Sequence, residues 1–498
     1  MKIPLTTVML AVIFVWHMQS IAYGQNRRKN TDKFQKELEK FAADPSLGNA
    51  SWGFLATDAR TGKELFAYNP DLALIPASTQ KIVTTSTSLA LLGGKYQFET
   101  LLQYDGQIND NTLNGNLIIL GSGDPSLGST TMHDSLSMER LFSSWYTDMR
   151  KAGILNIEGN IIADGSCFDD HMVPPKWFWE DIGNYYGAGA HGLTINENMY
   201  TVFFSPGNRE GAAAEVIRTE PPVPGMDYIN NVATGPLRSG DQVYIYGSPY
   251  GNVRWLTGTV PLGENNFAVR GSMPDPGLFL ASAFQKFLEN QGMQINGKAY
   301  THRDSQQVST KTSRLTISRW HSPELADITS RTNLNSVNTY AENLIKTMGK
   351  ELSGKGTYPG GAEVISSFWN NKGLDTKGLR IHDGSGLSPF NNITVRQLTH
   401  MLTFIASDDV LFQSVISGFP VAGRSGSLSG LFRGTASEGT LQAKSGFLSN
   451  VRAYSGYTYC RNGNLIAFTI IVNNYSGSAL QMRTRMVNLM DALTNISL

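Results

Sequence analysis

The two ends of this chain carry one kind of pattern and its long middle carries another, and this limits the fold more than any other feature. Near the start, Trp52 to Ala56 and Glu64 to Tyr68 read as strands, and Asp58-Ala-Arg-Thr-Gly62-Lys63 between them is a turn signal, so the pair predicts a hairpin. Pro76-Ala77-Ser78 then opens an unbroken run holding Ile82, Val83, Leu89, Leu91 and Leu92 that stops at Gly93-Gly94, a buried helix with a glycine end. The chain closes on a strand, Leu465 to Val472, and a helix from Ser478 to Leu493. From about Tyr104 to Tyr300, Gly-punctuated β segments dominate (Asn116 to Leu120, Gly159 to Ala163, Gln242 to Tyr246), with one clear helix at Pro276 to Asn290. A strand, Arg314 to Trp320, and further helices follow. The pattern predicts a sheet assembled from both ends of the chain. We expect an α/β (α+β) domain split over 25–102 and 308–498 and interrupted by a β-rich insertion, 103–307, of one or two subdomains, the inner about 122–210.

Composition removes several functions. Lys+Arg and Asp+Glu are 41 each, so the chain lacks the basic excess by which nucleic-acid proteins neutralise phosphates. Apolar residues at 41% exclude a largely disordered chain. Two cysteines, Cys167 and Cys460, are too few for a four-cysteine zinc site or a disulfide framework, and are either paired or free. There is no His-Glu-x-x-His and no other dense ligand cluster, so no metal is expected. At the start, Lys2 precedes an apolar stretch from Leu5 to Trp16, and Ala22-Tyr23-Gly24 supplies small residues for cleavage after Gly24. Residues 1–24 therefore read as a signal peptide, with an uncleaved anchor as the alternative. The run is short for the ~20 residues that span a bilayer. The expected location is outside the cytoplasm, in the periplasm or cell envelope, with no stable membrane span after cleavage. Beyond it, Phe34, Leu38 and Phe41 put one apolar face on a short helix.

Three short motifs carry chemistry. Ser78-Thr-Gln-Lys81, the only Ser-x-x-Lys in the chain, lies at the start of the first buried helix, where i and i+3 share a face. A serine hydroxyl is a weak nucleophile until a base takes its proton, and a lysine serves if burial lowers its pKa. Ser336-Val-Asn338 precedes another buried-looking helix, Thr339-Tyr-Ala-Glu342-Asn343; its hydroxyl can pass a proton and its carboxamide can hold a peptide carbonyl. Lys444-Ser445-Gly446 offers a cation, a hydroxyl and then a glycine that allows close approach of a ligand carboxylate.

In this order the three motifs resemble the Ser-x-x-Lys, Ser-x-Asn and Lys-Thr-Gly set of penicillin-binding proteins and serine β-lactamases. The chain is similar to one branch in particular, the class C low-molecular-mass penicillin-binding proteins, D-alanyl-D-alanine carboxypeptidase/endopeptidases. Pro-Ala-Ser78-Thr-Gln-Lys81, Gly121-Ser-Gly-Asp124-Pro125, Tyr186-Gly-Ala with Leu193-Thr-Ile-Asn196-Glu197-Asn198, and Asp383-Gly-Ser-Gly-Leu-Ser388 all resemble family segments. Val337 stands where the family has Asp, and Ser445 where it has Thr. The resemblance implies a penicillin-binding transpeptidase-like, β-lactamase-like domain, an antiparallel sheet flanked by helices. It implies a serine DD-peptidase acting on peptidoglycan stem peptides, as carboxypeptidase and/or endopeptidase, and β-lactams as covalent inhibitors. Ser78 would be the nucleophile, Lys81 its base, Ser336 a proton relay and Asn338 a holder of the substrate amide. Lys444 and Ser445, followed by Gly446, would bind the substrate carboxylate, and the backbone N–H groups of Ser78 and Phe447 would form the oxyanion hole. No cofactor is implied. The alternatives are a β-lactamase or esterase of the same superfamily, or a non-catalytic cell-wall binding protein.

Other features read as structural. His382 beside Asp383 has no Gly-x-Ser-x-Gly elbow to serve, and Asp124 sits in a turn context. The aromatic cluster Trp177-Phe178-Trp179 reads as core, with sugar binding as the sharper alternative, and Asp164, Asp169 and Asp170 read as turn residues, with amine recognition as theirs.

Overall fold

The computed structural model describes residues 32–304 and 313–498. The expected signal segment and the expected boundary at 307/308 lie outside them. Two compact units emerge, one of residues up to 79 with 374–379 and 392–498, the other of 80–373 with 380–391.

The first unit is built on the sheet expected from the two chain ends. Its order is Glu64–Tyr68, Ser51–Asp58, Leu465–Asn473, Val451–Tyr459, Gln442–Leu448, antiparallel throughout. Leu465–Asn473 is apolar and β-branched along its length and is buried at every residue, as a central strand covered on both faces must be. The hairpin turn is held by Asp58, whose carboxylate accepts the N–H groups of Arg60 and Thr61. A helix over 32–42 sinks Phe34, Leu38 and Phe41 into the core, with Phe34 5.7 Å from Phe54 and Phe41 edge-on to Trp52 at 5.0 Å between ring centres. The last helix, Ala479–Thr494, starts at a reciprocal Ser478–Gln481 capping box and buries Met482, Met486, Leu489, Met490 and Leu493.

In the second unit the helix Gln80–Leu92 is buried through its first ten residues. Its hydroxyls are satisfied locally or by neighbouring helices: Thr85 and Thr87 donate one turn back, while Trp369 Nε1 and Asn333 Nδ2 donate to Thr87 and Thr85 Oγ1. Helices Leu325–Leu334, Asn338–Ser353 and Tyr358–Asn371 pack around it. Residues 102–293 supply a separate core around Trp145, Phe142 and Phe284. One of its sheets runs Ala299–Thr301, Ile161–Asp164, Leu117–Leu120, Glu99–Tyr104, Leu315–His321, so position 103 lies inside a strand. The helix Pro276–Asn290 forms with Asp275 as its cap. A second helix, Met138–Lys151, was not expected; Ser137 caps it, and it buries Leu141, Phe142, Trp145 and Met149 on one face. Its apolar positions are diluted by Ser143, Ser144 and Thr147, which hides the period in a Gly-rich neighbourhood.

Cys167 and Cys460 are free thiols. Among the described residues no helix is long and apolar enough to cross a membrane.

Trp145 is wholly buried between Phe142 and Phe284, 6.1 and 5.2 Å away between ring centres. Trp145→Ala should cost about 3–5 kcal/mol, as large-to-small changes at buried aromatics do. Denaturant unfolding reads this; a loss below about 1 kcal/mol would mean that this core is not packed as described.

Candidate active site

Ser78 lies in a 3-10 turn, Ala77–Thr79, and Lys81 in the helix Gln80–Leu92 that follows it in the sequence. The residue before the serine, Ala77, is buried with φ +46°, a left-handed conformation a non-glycine residue keeps only when its surroundings enforce it. The approach is pinned from the sheet: Asn473, last residue of the central strand, accepts the Ile75 N–H at 2.8 Å and donates to the Ile75 carbonyl at 3.2 Å.

The same unit brings the third motif to this turn. Lys444, Ser445 and Gly446 lie on the edge strand Gln442–Leu448, with the exposed Phe447 after them. A Cβ at Gly446 would lie 2.7 Å from the Pro76 carbonyl oxygen and 3.1 Å from the Ala77 Cβ, so only glycine lets this strand pass so close to the serine turn. Lys444 is fully buried, with its Nζ donating to the Ser445 carbonyl at 2.9 Å, and the Ser445 hydroxyl donates to Ser427 Oγ at 2.7 Å.

The second unit brings Lys81 and Asn338 together. Lys81 is fully buried, and its Nζ donates to Asn338 Oδ1 at 2.6 Å and to the Ser385 carbonyl at 2.9 Å. The Asn338 amide is thereby oriented, and its Nδ2 donates to the Tyr186 carbonyl at 2.7 Å. Asn338 opens the helix Asn338–Ser353, and Ser336, two residues earlier, has φ +58°. Both motif loops thus carry a left-handed non-glycine residue.

Two carboxylates complete this half. Glu342, one turn past Asn338 and fully buried, accepts the backbone N–H groups of Gly384 and Ser385, each at 2.9 Å. It therefore holds the loop whose Ser385 carbonyl grips Lys81. Asp383 accepts from Trp177 Nε1, the N–H groups of Gly386 and Ser388, and Asn391 Nδ2. Gly384 is pressed against the helix, where a Cβ would lie 2.2 Å from the Ala341 carbonyl oxygen. Burial lowers the Lys81 pKa to about 8, opposed by the charges of Glu342 and Asp383. Burial, then the Asp383 charge, pushes Glu342 up. A lysine in this state exchanges its proton near neutral pH, which is what a general base needs.

Glu342 and Asp383 were not expected as site residues; a Glu one helical turn after Ser-x-Asn was the available signal. His382 is structural, its ring edge-on to Phe390. Asp124 forms the expected turn, accepting from Ser126 N and Oγ. Asp164 is paired with Arg314, Asp169 with Lys346, and Asp170 lies 3.4 Å from His302 Nε2. These three carboxylates already have partners within the chain. Among the described residues no group of His, Cys, Asp and Glu is arranged to hold a metal.

Comparison with known proteins gives this arrangement its family. The model of the D-Ala-D-Ala carboxypeptidase 3 (S13) family matches residues 34–495. The chain belongs to this S13 family. Its members are serine peptidases. The D-alanyl-D-alanine carboxypeptidase of Actinomadura sp. (strain R39) is 28% identical over 471 residues, covering 90% of this chain and 82% of that one. The DacB carboxypeptidase of Haemophilus influenzae is 25% identical, covering 89% and 90%. The crystal structure of Haemophilus influenzae penicillin-binding protein 4 superposes with a TM-score of 0.78 at 22% identity, over 94% of this chain and 99% of that one. The fold is that of penicillin-binding protein 4, as the sequence resemblance implied.

The Lys81 environment predicts a pH profile. An acylation in which Lys81 serves as the base needs the unprotonated amine, so under that expectation the rate with a penicillin should rise with pH and level off above about 8. Asp383→Asn removes an anion that favours the protonated amine, so the rising limb should move to lower pH, by roughly one unit for about 1.4 kcal/mol of lost interaction. An unmoved limb in a folded variant contradicts this coupling.

Proposed function

We propose that this chain is a serine DD-peptidase of the cell envelope. Its substrates are peptidoglycan stem peptides, cleaved at a D-alanyl carbonyl through an acyl-enzyme on Ser78. The observation that carries the reading is the buried amine of Lys81, held by Asn338 three residues after the one Ser-x-x-Lys serine of an S13 chain.

In the first step the Ser78 Oγ attacks the carbonyl carbon of the penultimate D-Ala as its proton passes to Lys81 Nζ. The tetrahedral oxyanion is met by the N–H groups of Ser78 and Phe447; such a donor is worth about 3 kcal/mol where charge develops. The C–N bond then breaks, and the leaving amine takes the proton through the Ser336 hydroxyl. Asn338 holds the substrate amide, and Lys444 with Ser445 binds the terminal carboxylate. Water attacks the acyl-serine, gives its proton back through Lys81, and releases Ser78. Every step uses the chain's own side chains and backbone N–H groups with water, and no cofactor. A β-lactam carbonyl enters the same first step, and the tethered leaving group makes the product a stable adduct. Carboxypeptidase and endopeptidase action share this chemistry and differ only in the amine that leaves. The reading extends to the processed, exported form, with the split domain and its insertion as its architecture. It is supported by the separate core over 102–293 and by the sheet joining both chain ends.

Release of D-alanine from a peptide ending in D-Ala-D-Ala tests the assignment. Ser78→Ala should abolish release. Lys444→Ala, which removes a charged hydrogen bond of about 1.5–3 kcal/mol, should lower kcat/KM roughly ten- to hundredfold. Undiminished release by Ser78→Ala, or an unchanged kcat/KM in Lys444→Ala, would refute the roles given to those residues.

A further inference from the structure

A three-stranded sheet in the second unit breaks the usual rule for one-sided sheets. Its order is Asp227–Gly235, Val253–Pro261, Tyr244–Tyr246. The inner face is buried through Val232, Ile245, Arg254 and Leu256. The outer face should then be polar. Instead Ile229, Trp255 and Tyr246 stand opposite one another across the three strands, and Ile229 and Trp255 are 55% and 46% exposed. Trp179, 53% exposed, extends this row, its ring 6.2 Å from Tyr246, which is 5.6 Å from Trp255. Neighbouring rings are tilted by 33° and 40° to one another, so the three form a continuous strip rather than an edge-to-face core cluster. Patches of this kind mark binding sites.

The neighbouring row says what the strip binds. Asn231, Thr257 and Tyr244 stand opposite one another beside the aromatic row, all uncharged hydrogen-bonding side chains. The charged group on this strand face is Asp227, at its end. Such a face has nothing for a phosphate or an acidic polymer. It suits a neutral chain with flat apolar surfaces and amide or hydroxyl edges, which describes pyranose rings carrying acetamido groups: ring C–H bonds meet the negative face of an aromatic ring, and amides meet the polar row. The strip also continues toward the catalytic residues. Trp179 begins a segment that reaches Tyr186 within seven residues, and the Tyr186 carbonyl accepts from Asn338 Nδ2.

We propose that Trp179, Tyr246 and Trp255, with Ile229, form a stacking platform for β-1,4-linked N-acetylhexosamine chains, the glycan from which stem peptides hang. The choice of this sugar rests on the peptidoglycan reading above, and the platform itself rests on the sheet face.

The probe is chitohexaose, titrated into the mature protein by calorimetry, with maltohexaose as the comparison. Saturable binding of chitohexaose near the millimolar range, about 4 kcal/mol, is expected, with at least tenfold weaker binding in Trp255→Ala and in Trp179→Ala. Penicillin acylation, which uses none of these residues, should be unchanged in both variants. No saturable binding, equal binding of maltohexaose, or undiminished binding by both variants overturns the proposal. Sugar binding by a wild-type protein that fails to acylate would instead overturn the catalytic reading and leave the platform standing.

Discussion

The structure turns on a lysine amine taken out of water. Removing a charged ammonium from solvent costs several kcal/mol after relaxation, so it is stable only where its donors are met. Lys346 shows one solution: it is ion-paired with Asp169 at 2.6 Å and donates to two backbone carbonyls, contacts that oppose the lowering of its pKa by burial. Lys81 shows another. Among its short contacts are two neutral oxygens, Asn338 Oδ1 and the Ser385 carbonyl, while the charges of Asp383 and Glu342 act on it from the surroundings. Neutral acceptors hold an amine in place without locking its proton on. Burial therefore outweighs the two anions, and the pKa falls.

That state depends on three parts of the chain far apart in sequence. The helix Gln80–Leu92 carries the amine, the helix Asn338–Ser353 carries Asn338 and Glu342, and the loop over 383–388 turns its carbonyl toward the amine because Glu342 holds its N–H groups. Asp383 fixes the far side of this loop through four donors, among them the Trp177 indole. In the other unit the serine turn is set by the sheet, through Asn473 on one side and the side-chain-free Gly446 on the other. Lys444 sits on the edge strand of this sheet, whose outer side is bridged at its start by Val421 opposite Gln442 and by the Ala443 N–H donating to the Pro420 carbonyl.

Much of this was legible in the sequence, for physical reasons. A sheet joining both chain ends was readable because its central strand is a continuous apolar run and its hairpin has a strong turn, while the strand Val451–Tyr459 was not expected; the Pro276–Asn290 helix was readable because proline and Asp275 mark its start. The motif residues were readable because a lysine inside an apolar run demands a reason. The Glu342–Asp383 arrangement was not, because the residues are distant in sequence and their meeting is decided by how closely Gly384 lets two segments approach. The Met138–Lys151 helix was hidden by its polar dilution. Of Trp177-Phe178-Trp179, only Trp177 is core, and its neighbours face solvent, a division that adjacency in sequence conceals.

The central claim is that the hydroxyl three residues before Lys81 is the acyl acceptor. Intact-mass analysis after exposure to benzylpenicillin, followed by tryptic mapping, tests it most directly. A single stoichiometric adduct with the mass of the whole antibiotic, carried on the peptide spanning residues 64–81 and localised to Ser78, is the predicted result. An adduct on any other residue, or an unmodified protein after prolonged exposure without turnover of the drug, would contradict it.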